Sequence, residues 1–178
     1  MRSHRRFARL RLAVVAPVAA AAGALTLVAP ASAKTYDVAR SLGAVLPEVV
    51  VQSGVPVVIP DRITLDYDGR VYAAGQGKRN GWRLSLSGAP NCGANACFLV
   101  EFSGERGGRP AYRRQVRLYG GVIGYYKPLS CGGSCSPPAL QFVRAGVLYQ
   151  IQAKVPRGRA DLIAAANSAL RAGVATND

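Results

Sequence analysis

The sequence predicts an α+β domain: a twisted antiparallel sheet of about seven strands in a meander, packed against a C-terminal helix and preceded by a short N-terminal helix. Three observations carry this. The dipeptides Asp68-Gly69, Asn80-Gly81, Gly120-Gly121 and Ala145-Gly146 each separate two runs of mixed apolar and polar residues. Dipeptides of this kind supply the positive φ that tight hairpin turns need. Within the runs, apolar residues recur with a period of two and leave one polar face, as in an antiparallel sheet buried on one side. Near the C-terminus the rhythm changes. In residues 159–173, RADLIAAANSALRAG, the residues Leu162, Ile163, Ala166, Ala169 and Leu170 fall at helical spacing, and Gly173 supplies a stop.

The first 33 residues have another purpose. MRSHRRFARLR carries five arginines and no acid, an apolar run follows, and Ala31-Ser32-Ala33 closes the segment. A basic stretch, an apolar stretch and an A-x-A site describe a secretory signal peptide. Residues 1–33 are expected to be cleaved, leaving residues 34–178 as a single disulfide-stapled secreted domain with no stable membrane span. The alternative, retention of the apolar run as an anchor, is disfavoured by its many alanines and by Pro17.

Along the remaining chain, a short helix begins near Leu46 with Pro47 in its first turn and stops at Gly54. Residues 55–60, VPVVIP, read as an extended segment punctuated by prolines. The strands follow. By parity, Trp82, Leu84, Phe98, Val100, Phe102, Tyr149 and Ile151 should share one core under the C-terminal helix, with Arg83, Ser85, Glu101 and Gln150 on the opposite face. The segment 103–113, SGERGGRPAYR, is glycine-rich and charged and reads as a flexible hairpin loop.

All four cysteines lie in two tight pairs, Cys92/Cys97 and Cys131/Cys135. In an exported domain an even cysteine count reads as a disulfide framework. Zinc would favour C-x2-C spacings with histidine at hand, whereas the spacings are C-x4-C and C-x3-C and the one histidine is His4, inside the signal peptide. Three connectivities are open to four cysteines; short Gly/Asn/Ser turns favour the two local ones. No metal or cofactor is called for.

Charge bounds the function. Beyond residue 33 the chain holds eighteen Lys and Arg against nine Asp and Glu. That excess attracts polyanions such as an anionic wall polymer or an acidic glycan. An exported chain without a recognisable reader module is not expected to bind nucleic acid. Arg70, Arg83, Arg117 and Lys154 stand on the polar parity of their strands and are the candidate ligand-binding residues, gathered by the sheet's twist into one basic face. Tyr126 is a further candidate, because an exposed tyrosine stacks on a sugar or holds a quaternary ammonium. Oligomeric state is not legible.

The pattern Phe142-x-x-x-Gly146-x-x-Tyr149-x-Ile151, followed by a helix carrying Ala166-x-Ser168, resembles secreted or membrane-tethered domains of unknown function from Gram-positive bacteria. Cys131-Gly-Gly-Ser-Cys135 looks like a variant from exported actinobacterial proteins. The resemblance implies a sheet capped by a helix and transfers no catalytic residue.

Tests for chemistry exclude more than they find. Without histidine after residue 33, Ser-His-Asp and Cys-His catalysis fail. Asp66 and Asp68 do not open a calcium loop, since Arg70, Val71 and Gly77 stand where a ligand, a glycine and a glutamate are needed. GERGGRP lacks the lysine-hydroxyl ending of a phosphate loop. The reading is a secreted, non-catalytic domain that binds anionic cell-envelope components. Two alternatives belong to other classes: an extracellular hydrolase using a carboxylate pair such as Glu101 and Glu105, and a protease inhibitor presenting the CGGSC loop.

Overall fold

The computed structural model describes residues 32–173. The expected signal peptide lies outside them except for its last two residues. Strand β1 (Lys34–Asp37) runs into α1 (Val38–Leu42), which Asp37 caps by accepting a hydrogen bond from the Arg40 N–H at 2.9 Å. Helix α2 (Leu46–Gln52) carries a proline in its first turn, as read from the sequence. Then come β2 (Arg62–Leu65), β3 (Tyr72–Lys78), β4 (Gly81–Ser87), β5 (Phe98–Arg106), β6 (Arg114–Arg117), β7 (Ile123–Lys127), β8 (Ser130–Cys131), β9 (Cys135–Ser136), β10 (Ala139–Arg144), β11 (Val147–Ala153) and α3 (Arg159–Ala172). Among the described residues no helix is long and apolar enough to cross a membrane.

Seven strands form one antiparallel sheet in the order β3-β4-β5-β11-β10-β7-β6. It consists of two meanders, β3-β4-β5 and β6-β7-β10-β11, the second closing back on β5 through β11 (Gly104 opposite Tyr149, Phe102 opposite Ile151). Both disulfides are local. Cys92–Cys97 closes the β4–β5 connection, and Cys131–Cys135 closes the β8–β9 hairpin inside the β7–β10 connection.

The core lies on one face only. Trp82, Leu84 and Leu86 of β4, Val100 and Phe102 of β5, Leu140 and Phe142 of β10 and Tyr149 and Ile151 of β11 are buried there. Burying each large side chain contributes roughly 1.5–3 kcal/mol. Helices α1 and α2 cover the β3–β4 side, and α3 covers β10, β11 and β2. Between them runs the segment 55–60, with Val55, Val57, Val58 and Ile59 buried. Its anchor is one carbonyl: Pro56 O accepts from Trp82 Nε1 at 3.0 Å and from the Tyr149 hydroxyl at 3.2 Å. Phe142 stacks on Tyr149 at 5.3 Å between ring centroids. Ala165, Ala166 and Ala169 are buried on α3, small enough to let that helix lie close.

Several expectations need correction. Asp68-Gly69 does not turn a hairpin: β2 pairs with β1, Tyr36 opposite Ile63. Four-residue β1 has a single buried residue, Tyr36, and no sequence signal; its hydroxyl ties down the 66–70 link by donating to Tyr67 O at 2.9 Å. The β3–β4 hairpin forms, but Arg79 and Asn80 make its turn, neither with positive φ, and Gly81 is already in β4 opposite Lys78. Gly81 is needed for another reason: a Cβ there would lie 2.4 Å from Gly104 O of β5. Ala145-Gly146 is the true two-residue turn, with φ of 48° and 74°. Phe98 is half-exposed and not in the core. The β4–β5 register shifts between Leu86 and Ser87, so Phe98 stands opposite outward Ser87 and the extra residue Leu99 is buried instead. Finally, 103–113 is no hairpin. Its first half is β5, and residues 107–113 cross the opposite face of the sheet to reach β6.

Helix α2 approaches β3 closely because β3 reads YAAGQGK. A Cβ on Gly77 would lie 2.5 Å from Gln52 Cβ and 2.8 Å from Val49 O. Gly77→Ala should therefore push α2 off the sheet and destabilise by about 1–3 kcal/mol. Gly132→Ala, with nothing within 4 Å of its Cβ, should change stability by less than about 0.5 kcal/mol. Urea midpoints with unchanged slopes check both.

Candidate functional site: the outer face of the sheet

The face opposite the helices is polar and read off strand by strand. One continuous row crosses all seven strands: Gln76, Arg83, Ser103, Gln150, Gln141, Tyr125 and Gln115, each opposite the next. The crossing segment 107–113 divides this face. It covers the β11–β10 part, where the Ala111 N–H donates to Gln141 Oε1 at 2.8 Å and Gln141 Nε2 and the Tyr112 hydroxyl both donate to Gln150 Oε1, at 2.7 and 3.2 Å. Gly108 sits on Leu148, where a Cβ would come within 2.9 Å. Gln141 is buried as a result, with its amide satisfied.

On the β3-β4-β5 side the face stays open as a trough. One hollow of 340 Å³ is lined by Gln76, Lys78, Arg83, Ser103 and Glu105, and one of 550 Å³ by Tyr72, Ala74, Ser85, Phe98 and Glu101 together with Ser41 and Ala44 from the α1 side. The loop closed by Cys92–Cys97 bounds it at one end and is held by Lys154, whose ammonium donates to Asn95 O at 2.5 Å and Ala96 O at 3.1 Å. At the centre Arg83 Nε lies 3.4 Å from Glu101 Oε1. Burial pushes the Glu101 carboxyl up from its ordinary value, and the Arg83 guanidinium partly opposes that.

The structure disperses the sequence-predicted basic residues. Arg83 and Arg117 share the outer face, but β4 and β6 stand five strand spacings apart, about 24 Å. Arg70 lies over the Tyr72 ring, 5.3 Å from its centroid, at the edge of the trough. Lys154 holds a loop. Tyr126 is buried on the helix-covered face and lines a separate cavity of 360 Å³ with Leu129, Cys135, Pro137, Pro138 and Val155.

What the parity reading missed is segregation of charge. Residues 107–160 contain no Asp or Glu and nine Lys or Arg, whereas residues 34–106 hold seven acids against eight bases. The whole-chain count averages these halves. Residues 107–160 build β6 to β11, four neighbouring strands of the main sheet and the disulfide hairpin. Arg113, Arg114 and Arg117 are exposed on or beside the edge strand β6, and Arg109 is exposed on the crossing segment. Glu101 and Glu105, in contrast, are four residues apart on one strand, about 13 Å. That exceeds the roughly 5–9.5 Å at which paired carboxylates cleave a glycosidic bond. Among the described residues no three His, Cys, Asp or Glu side chains gather as a metal site would require.

No protein-family model, no curated protein and no solved structure matches the chain.

The Glu101 environment has a direct readout. Its carboxyl should titrate above the ordinary glutamate value in a carbon-detected NMR titration, and Arg83→Met should raise the midpoint further. With a raised folded-state pKa the native state holds its proton longer than the unfolded chain. Stability should therefore fall as pH rises through that midpoint, and Glu101→Gln should remove the fall. A midpoint below the ordinary value would contradict the geometry.

Proposed function

We propose that this chain is an exported, non-catalytic binding domain that holds an anionic cell-envelope polymer along the β6 edge of its sheet. The observation that carries the reading is the acid-free stretch 107–160, which the fold turns into one contiguous half of the sheet ending in exposed Arg113, Arg114 and Arg117. With no carboxylate in that stretch to neutralise them, these charges sum, and guanidinium forks match phosphate and carboxylate oxygens in pairs. The two local disulfides and the signal-like first 33 residues agree with export to an oxidising compartment. The resemblance to exported Gram-positive domains points the same way.

Charged residues on an edge strand also guard it against pairing with another chain, a role that needs no polymer. The disulfide hairpin at Cys131–Cys135 is exposed, as an inhibitor loop would be. Between its cysteines it offers only Gly132, Gly133 and Ser134, with no large side chain to fill a specificity pocket.

Retention on immobilised polyphosphate and polygalacturonate separates these readings. It should weaken as salt rises, because the Debye length falls from about 10 Å at 0.1 M to about 3 Å at 1 M. The variant Arg113→Gln/Arg114→Gln/Arg117→Gln should elute at markedly lower salt with an unchanged melting temperature. Equal retention of variant and parent, or retention indifferent to salt, would remove the proposal.

A further inference from the structure

The trough over β3–β5 differs from the basic edge in every respect relevant to a ligand. Its charges balance, since Arg83 is paired with Glu101 and the two other charged lining residues, Lys78 and Glu105, are opposite in sign. Its volume is within the range of small-molecule sites, about 300–1,000 Å³. Three planar polar groups, the Gln76 amide, the Arg83 guanidinium and the Glu101 carboxylate, stand on three adjacent strands, Gln76 directly opposite Arg83. The guanidinium presents parallel donors, the carboxylate two acceptors and the amide one of each, arrangements that can bond two neighbouring hydroxyls at once. Ser85 and Ser103 supply groups that donate and accept between them. At one end Tyr72, backed by Arg70 at 5.3 Å, offers an aromatic surface for the C–H face of a ring. The floor is rigid, since it lies on paired strands, and the loop at one end is tied by Cys92–Cys97 and by Lys154.

We propose that this trough is a saccharide site that takes an uncharged stretch of a glycan, with Gln76, Arg83 and Glu101 bonding its hydroxyls and Tyr72 stacking on one ring. Fixed planar polar groups beside an aromatic plate recognise a polyol better than an apolar ligand, which would leave them unpaired. A bare anion would meet the Glu101 carboxylate beside Arg83. The site is independent of the β6 edge: it lies on the other side of the crossing segment and its binding should not depend on salt. The two together would fit a polymer in which sugar and anionic units alternate.

The experiment is a ¹⁵N NMR titration of the disulfide-intact protein with tetrasaccharides of β-1,4-glucose, β-1,4-N-acetylglucosamine and β-1,4-mannose, at 0.1 M and 1 M salt. At least one should produce saturable shifts centred on the Gln76 side-chain amide, Arg83 Nε and the Ser103 amide, with the same affinity at both salts. Gln76→Ala, at an exposed position, should weaken binding about tenfold, the scale of one lost hydrogen bond. Tyr72→Ala should weaken it similarly. No saturable shift with any of the three sugars, shifts centred elsewhere, or full affinity in both variants would overturn the proposal. None of these outcomes bears on retention at the β6 edge, so the two readings stand or fall separately.

Discussion

The pairing of β11 with β5 is the constraint on which the rest of the structure depends. It joins the two meanders into one sheet and puts β11, β10 and β7 between β5 and β6. The chain leaving β5 at Arg106 must then cover four strand spacings, about 19 Å, to reach β6. Seven linking residues span at most about 24 Å when extended. The link has little slack and runs directly across the face that no helix covers. Its hydrogen bonds to Gln141 and Gln150 follow from that path, and so does the division of the outer face into a covered part and an open trough.

The opposite face is organised by close approach. The Pro56 carbonyl serves two buried aromatic donors, Trp82 from the first meander and Tyr149 from the second, so one acceptor ties the valine-rich strap to both halves of the sheet. An acceptor shared this way leaves neither donor unsatisfied in an apolar setting, where an unpaired group would cost roughly 1–3 kcal/mol. Glycines do the equivalent work at contacts: Gly77 and Gly75 admit α2, and Gly104 admits the Trp82 ring, whose Nε1 would lie 2.5 Å from a Cβ at that position. The cystines sit far from this core. Each closes a loop of a few residues, which on loop-entropy grounds stabilises modestly, about 2 kcal/mol; their effect is local, fixing one wall of the trough and the exposed β8–β9 hairpin.

Much of the fold was legible because its signals are local. The period-two runs gave β4, β11 and most of β5 with their inward residues, the 3.6-residue period gave α3, and the cysteine spacing gave both disulfides. The failures are of another kind. Asp68-Gly69 has hairpin chemistry, yet β2 turns away because Ile63 and Leu65 find their partners under α3 and against β1; a dipeptide cannot report which strand its neighbour prefers. Phe98 was misplaced by a single extra residue at the bulge, invisible to parity counting. Parity fixes the side of the sheet a residue occupies but not the strand order, so it cannot gather basic residues into one face. Arg83 and Arg117 are on the predicted side and a sheet-width apart. The trough pairs such as Gln76 with Arg83 and Ser103 exist only once register is known.

Charge segregation connects fold and function. The strands of residues 107–160, devoid of carboxylates, are consecutive in the second meander, so a bias along the chain becomes a bias in space. Among the described residues the acids are left to the first meander and the N-terminal elements, where Glu101 pairs with Arg83, and to Asp161 at the start of α3, which holds the Arg157 guanidinium at 2.7 Å. Hydrogen–deuterium exchange of the intact protein with and without saturating inorganic polyphosphate tests this most directly. The account predicts slowed exchange in residues 109–127, the crossing segment with β6 and β7, and unchanged exchange in residues 72–87. Protection confined to residues 72–87, or none in either region, would contradict it.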